Sequence, residues 1–255
     1  MVLLTEQIIK GHGLAADGTP EQMFDAPLMA MSLIAADIII TIACLAIFRR
    51  RQYSRSRYVP SSPTWKMNLL GLQGCVSGII ALDLMTELMN IPNLMEEQMT
   101  ALCQTPWGVA AIALAAPVGE EMLFRWGITG HLLHNNRGVT VSIFTSALLF
   151  GLIHINPAQV FFATAMGVLL GMLYWKTGNI LLPILLHMFN NSVACLQVWI
   201  LGDDIHTYSL VNTLGGTYMA WIIVAACCVD CIAVMWLYAM SKPSLQTVNT
   251  EDKEA

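Results

Sequence analysis

Seven mostly apolar stretches follow one another along the chain, at 27–48, 66–90, 107–133, 138–155, 158–176, 180–201 and 214–240. Each is close to the roughly 20 residues a helix needs to cross the hydrocarbon core of a bilayer. Inside lipid every backbone N–H and C=O must be satisfied by the segment itself, and a helix does this. Composition agrees: 56% of residues are hydrophobic and 11% are charged, against about 25% charged in a soluble domain. The expected fold class is an all-α, polytopic membrane protein of about seven transmembrane helices. Its expected parts are an external N-terminal segment (1–26), a transmembrane domain (27–240) and a cytoplasmic tail (241–255).

The breaks between spans have mechanisms. "RRRQYSRSRYVPSSP" at 49–63 is too polar and proline-rich to continue a helix in lipid. "NIPN", "NNRG", "NP" and "KTGN" at 90–93, 135–138, 156–157 and 176–179 carry turn and helix-stop residues. The N-terminus lacks a long apolar run, so no cleaved signal peptide is expected. Arg49, Arg50, Arg51, Arg55, Arg57 and Lys66 cluster between the first two spans, which assigns that loop to the cytoplasm. Alternation then places Arg137, Lys176, Lys242 and Lys253 on the same side and leaves only Lys10 outside. The N-terminus is therefore expected outside and the C-terminus inside. Short loops without added domains point to a bacterial cytoplasmic membrane. The net charge of −5 is spread over several loops, and no basic face suits nucleic acid.

Against this background the stretch "GEEMLFRWGITGHLLH" at 119–134 is costly. An ionisable side chain at mid-bilayer costs about 2.5–3.5 kcal/mol on insertion scales, and such residues are by default functional candidates. Glu121 and Arg125 are four apart and share a helix face, so they can pair. Glu120 is turned about 100° away. One carboxylate is neutralised by a built-in cation, and its neighbour is left to exchange a proton with a substrate or water. Pro117 loosens the helix just before them. Phe150 and His154 stand four apart in "FGLIH", and His187 and Asn191 stand four apart in "HMFNN". Helices bearing Glu or His, with an amide beside one His, supply a base, a second proton-handling group and oxyanion donors.

Glu120-Glu121-x-x-x-Arg125, Phe150-x-x-x-His154 and His187-x-x-x-Asn191, in that order, resemble the three motifs of the CPBP family. These are the intramembrane CAAX-type prenyl endopeptidases and their bacteriocin-processing and Abi relatives. The resemblance covers about residues 105–200. It implies helices around a buried, water-accessible polar cavity, and hydrolysis of a peptide bond by activated water. Glu120 and His154 would activate the water, His187 and Asn191 would stabilise the oxyanion, and Glu121, Arg125 and Phe150 would order the site. The implied enzyme is a glutamate-dependent intramembrane endopeptidase acting on a peptide or membrane-associated protein. No metal is favoured, because HExxH is absent; the alternative is zinc on Glu120, His154 and His187. His131 and His134 are read as headgroup-level residues beside "NNRG".

Asp37, Asp83, Glu87 and Asp230 lie in spans but outside the motifs. They keep open a proton-coupled transporter with a carboxylate relay, and a catalytically silent membrane scaffold is the third reading. The seven cysteines lie mostly in apolar runs, where they act as small hydrophobes; "CVDC" at 228–231 is read the same way. Nothing in the sequence sets an oligomeric state. The orientation is testable by single-cysteine labelling with a membrane-impermeant maleimide. Glu97→Cys should react from outside and Asn136→Cys only after the cytoplasmic face is opened; the reverse pattern overturns the assigned topology.

Overall fold

A computed structural model describes residues 26–48 and 64–241, except the side chain at 203. The N-terminal segment 1–25, the basic loop 49–63 and the tail from 242 lie outside the described residues. The described chain is helical: α1 (Ala26–Phe48), α2 (Trp65–Leu88), α3 (Glu96–Cys103), α4 (Pro106–His134), α5 (Val139–Leu152), α6 (Pro157–Thr177), α7 (Leu181–Leu201), α8 (Leu210–Thr213) and α9 (Thr217–Met240). A 3-10 turn, Gly202–His206, follows α7. Six of these helices are long and apolar enough to cross a membrane. Apolar α5 has 14 residues, which at 1.5 Å per residue is about 21 Å, short of a roughly 30 Å hydrocarbon core. Large apolar side chains such as Ile39, Ile42, Phe144, Leu148, Trp199 and Ile232 point outward, as expected where the solvent is lipid.

The expected spans agree with the helices to within a few residues. The fourth differs most, because 153–156 leave the helix. Ile155 takes a left-handed φ of 62°, and the Asn156 side chain is buried. Its amide donates to Asn93 Oδ1 at 2.7 Å, and its Oδ1 accepts from the Leu94 N–H at 2.9 Å. Asn156 therefore serves as a bracket between two loops, and α5 stops short to allow it. The same contacts put the loop after α2 and the loop after α5 on one face of the bundle. On the other face, Lys176 Nζ donates to the Ser241 carbonyl at 2.9 Å. This pairing of loops is what alternating spans require.

The main apolar cluster draws on Cys75 and Ile79 of α2, Phe124 of α4, Phe150 of α5, Met166, Leu170 and Leu173 of α6, Leu186 of α7 and Tyr238 of α9. Two of the unassigned acids are tied down by neighbouring elements. Asp230 of α9 accepts from Gln73 and Ser77 of α2. Glu87 accepts from Ser209 Oγ at 2.6 Å and from the Val211 N–H at 3.3 Å, at the start of α8. These are helix-to-helix brackets rather than links of one relay.

α4 is not a regular α-helix. It is π-helical over Ala110–Ala115 and again over Met122–Thr129. Each widened stretch inserts a local irregularity, a feature frequent at functional sites, and the first runs directly into Pro117, which has no N–H to give. Two carbonyls within these stretches are bonded by side chains. Phe124 O accepts from Thr129 Oγ1 at 2.9 Å and from Ser146 Oγ of α5 at 2.7 Å. Ile112 O accepts from Asn191 Nδ2 of α7 at 2.9 Å.

Arg125 is the largest fully buried side chain among the described residues. Its Nη1 donates to Glu121 Oε1 at 2.8 Å, and its guanidinium lies 4.3 Å from the centre of the Phe150 ring. Charge–charge attraction and the ring's electron-rich face together offset its desolvation. Gly167 of α6 makes room beside it: a Cβ there would come within 3.0 Å of Ala147 Cα and 3.3 Å of Arg125 Nη2. Removing one partner of a buried pair costs about 3–5 kcal/mol. Glu121→Ala and Arg125→Ala should therefore lower the melting temperature in detergent sharply; unchanged melting would show that the pair carries no stability. Gly167→Val should cost about 1–3 kcal/mol by overpacking the same contact, read from the same melting curves.

Candidate functional site

The motif residues come from three helices. Glu120 and Glu121 end an ordinary α-helical turn of α4, between its two π-helical stretches. Glu121 faces inward and is fully buried, whereas the Glu120 side chain keeps 20% of its surface exposed. The hundred-degree offset between adjacent helix positions thus separates an interior carboxylate from one that can be reached.

His187 of α7 lies between the two. Its Nδ1 is 3.0 Å from Glu121 Oε1, and its Nε2 is 3.7 Å from Glu120 Oε2. Glu121, paired with Arg125, is an acceptor, so Nδ1–H donates to it and the orientation of the ring is set. Nε2 is the atom turned toward Glu120. A chain of contacts therefore runs Arg125–Glu121–His187–Glu120, from the interior to the reachable carboxylate.

His154 lies just past the end of α5, partly buried. Its Nδ1 is 2.8 Å from the Phe150 carbonyl oxygen. A carbonyl can only accept, so Nδ1 carries the proton and Nε2 carries the lone pair. The His154 and His187 rings both meet Phe150 edge-to-face, at centroid distances of 5.1 and 5.7 Å. Phe150 is therefore more than a platform for His154: it touches His154, His187, Arg125 and Phe124 at once. From the expected ends of its span, His154 falls much nearer the outer side than His187. The early stop of α5, together with the shared Phe150 ring, resolves that difference.

Asn191 stands one turn beyond His187 and uses one amide N–H on the Ile112 carbonyl. Its Oδ1 accepts from Asn190 Nδ2 at 3.1 Å. The second N–H of its amide has no partner among the described residues. His131 and His134 stand at the other end of α4, and Asn135 Nδ2 lies 3.1 Å from His131 Nε2. They do not join the site.

The sequence did not single out a role for Asp37 of α1. It packs against Gly119, where a Cβ would come within 2.9 Å of Asp37 Oδ1 and 3.2 Å of its Cα. The lack of a side chain at Gly119 is what admits α1, but a glycine before a glutamate pair carries no signal of its own. Among the described residues no three His, Cys, Asp or Glu side chains gather in a metal-holding set. Glu120, His154 and His187 do not form one, so no step below is routed through a metal.

Comparison with known proteins converges on the same segment. Residues 103–193 match the family model described as type II CAAX prenyl endopeptidase Rce1-like. Over 94 residues the chain is 30% identical to the Bacillus subtilis (strain 168) protein named "Putative membrane peptidase YdiL". That alignment covers 36% of this chain and 38% of the relative's length. No solved structure matches the chain. The match contains all three motifs, on the helices that bring Glu120, Glu121, Arg125, Phe150, His154, His187 and Asn191 into one neighbourhood. The motif-bearing segment of this chain is thus similar to the Rce1-like type II CAAX prenyl endopeptidases.

Proposed function

We propose that the chain is an intramembrane endopeptidase that hydrolyses a peptide bond with a water activated by Glu120 and His154. The observation that supports it best is the graded burial of the constellation: Arg125 and Glu121 fully enclosed, His187 held by Glu121, and Glu120 alone among the charged groups reachable. A purely structural ion-pair network needs no reachable member. The family match favours this reading over a transporter or a silent scaffold.

In the proposed reaction Glu120 takes a proton from water as its oxygen attacks the substrate carbonyl carbon, and the His154 Nε2 lone pair accepts from the same water. The carbonyl oxygen becomes an oxyanion. Protonated His187, balanced by Glu121 at Nδ1, donates from Nε2, and Asn191 donates its second amide N–H. Glu120 then passes its proton to the departing nitrogen, the C–N bond breaks, and a carboxylic acid and an amine leave. No bond to the enzyme forms at any stage.

The substrate we infer is a peptide, a leader segment or a membrane-associated protein rather than a prenylated one, and access through the bilayer suits a hydrophobic segment. The orientation we infer from the basic loops puts the N-terminus outside and the C-terminus in the cytoplasm. Glu120→Gln keeps size and polarity but cannot take the proton; it should abolish cleavage while leaving melting nearly unchanged. Full activity of the folded Gln variant would remove Glu120 from the mechanism. Asn191→Ala should lower kcat about 10²–10³-fold with little change in KM, because the donor matters after charge develops. A change confined to KM would reassign Asn191 to substrate binding.

A further inference from the structure

Two cysteines on different elements face each other at the end of the bundle opposite His131 and His134. Cys103 closes α3 and Cys195 lies near the end of α7, 92 residues apart in sequence. Their sulfurs are 2.6 Å apart and both side chains are buried. They belong to one small cluster with Val198, and Val109, Ile112 and Ile205 pack against it. Trp199 Nε1 donates to the Cys103 carbonyl, so the backbone of α3 is tied to α7 at the same place. The sulfurs stand about half an ångström beyond disulfide bonding distance.

We propose that Cys103 and Cys195 form a disulfide that braces the candidate site. Both lie on the face that carries the loops after α2 and α5. By the orientation inferred above, this is the outer face, where disulfides form and persist. The inference rests on that orientation and not on the proposed proteolysis. Other cysteines are placed differently: Cys75 Sγ lies 4.0 Å from Met235 Sδ, and Cys227, Cys228 and Cys231 share α9.

The oxidant is a disulfide carried by a thiol–disulfide oxidoreductase or a small disulfide acting as the segment reaches the outer face. One cysteine thiolate attacks the oxidant's disulfide and releases one of its sulfurs as a thiol. The second thiolate attacks the resulting mixed disulfide, forming the Cys103–Cys195 bond and releasing the other. Two electrons and two protons pass from the protein to the oxidant, which leaves as two thiols.

The location gives the bond its consequence. Cys195 is one turn past Asn191, and Ile112, whose carbonyl holds Asn191, packs in the same cluster. Cys103 lies three residues before the start of α4. The cross-link thus closes the α3–α4 corner onto α7 beside the contact that positions Asn191.

Trapping thiols in intact cells tests this on the full chain. Cells are quenched in acid, free thiols are blocked with one maleimide, disulfides are reduced, and new thiols take a second maleimide. Peptide mass spectrometry should find the second label on Cys103 and Cys195, the first on Cys44 and Cys75, and a cross-linked 103–195 peptide before reduction. The first label on both Cys103 and Cys195 overturns the proposal. Reduction should also lower the detergent melting temperature of the wild type by several degrees and leave Cys103→Ser/Cys195→Ser unmoved. An equal response of both proteins overturns the bracing role. If the double variant fails to fold, the trapping result on wild type still decides. Glu97→Cys labelling from the cytoplasm with both thiols free would trace the failure to the orientation, and leave the proteolysis reading standing.

Discussion

The structure depends on one enclosed cation. Arg125 is 1% exposed, and Glu121 one turn earlier, the face of Phe150 from α5 and the space left by Gly167 of α6 enclose it. Three helices are therefore held in fixed relation by a charge that none of them tolerates alone. Glu121, once committed to Arg125, is a fixed negative point, and His187 of α7 docks on it through Nδ1. α7 is thus recruited by the ion pair of α4.

From that arrangement the asymmetry between adjacent glutamates follows. A helix cannot point neighbouring residues the same way, so burying Glu121 turns Glu120 toward the surface that remains reachable. The two π-helical stretches frame this turn and carry carbonyls that bond Ser146 and Asn191 on other helices. Irregular backbone inside a membrane is tolerated where side chains satisfy it. One of the satisfying side chains, Asn191, is itself the candidate oxyanion donor.

Much of this was legible from residue order. Apolar runs located the spans because a bilayer imposes both length and helicity, and the four-residue spacing separated Glu121–Arg125 from Glu120. Other features depend on contacts that sequence periodicity does not encode. The fourth span is shorter than expected because "IHI" is apolar enough to pass for helix, while the Asn156 that follows is consumed in bracketing a distant loop. His187 was read beside Asn191, with no hint that it lies between both glutamates. Phe150 looked like support for one histidine and supports two, with Arg125. Cys103 and Cys195 looked like small hydrophobes, because nothing local announces a partner 92 residues away. The roles proposed for Glu120, His154, His187 and Asn191 rest on their geometry and on the family match.

The most direct measurement of the central claim is a comparison of protein termini in cells carrying the wild-type chain or Glu120→Ala, both expressed to the same level in membranes. The account predicts new N-termini that arise within or beside membrane segments in wild-type cells and vanish in the variant. Identical termini in the two cell populations, with both proteins folded and a substrate-bearing host, would contradict proteolysis as this chain's activity.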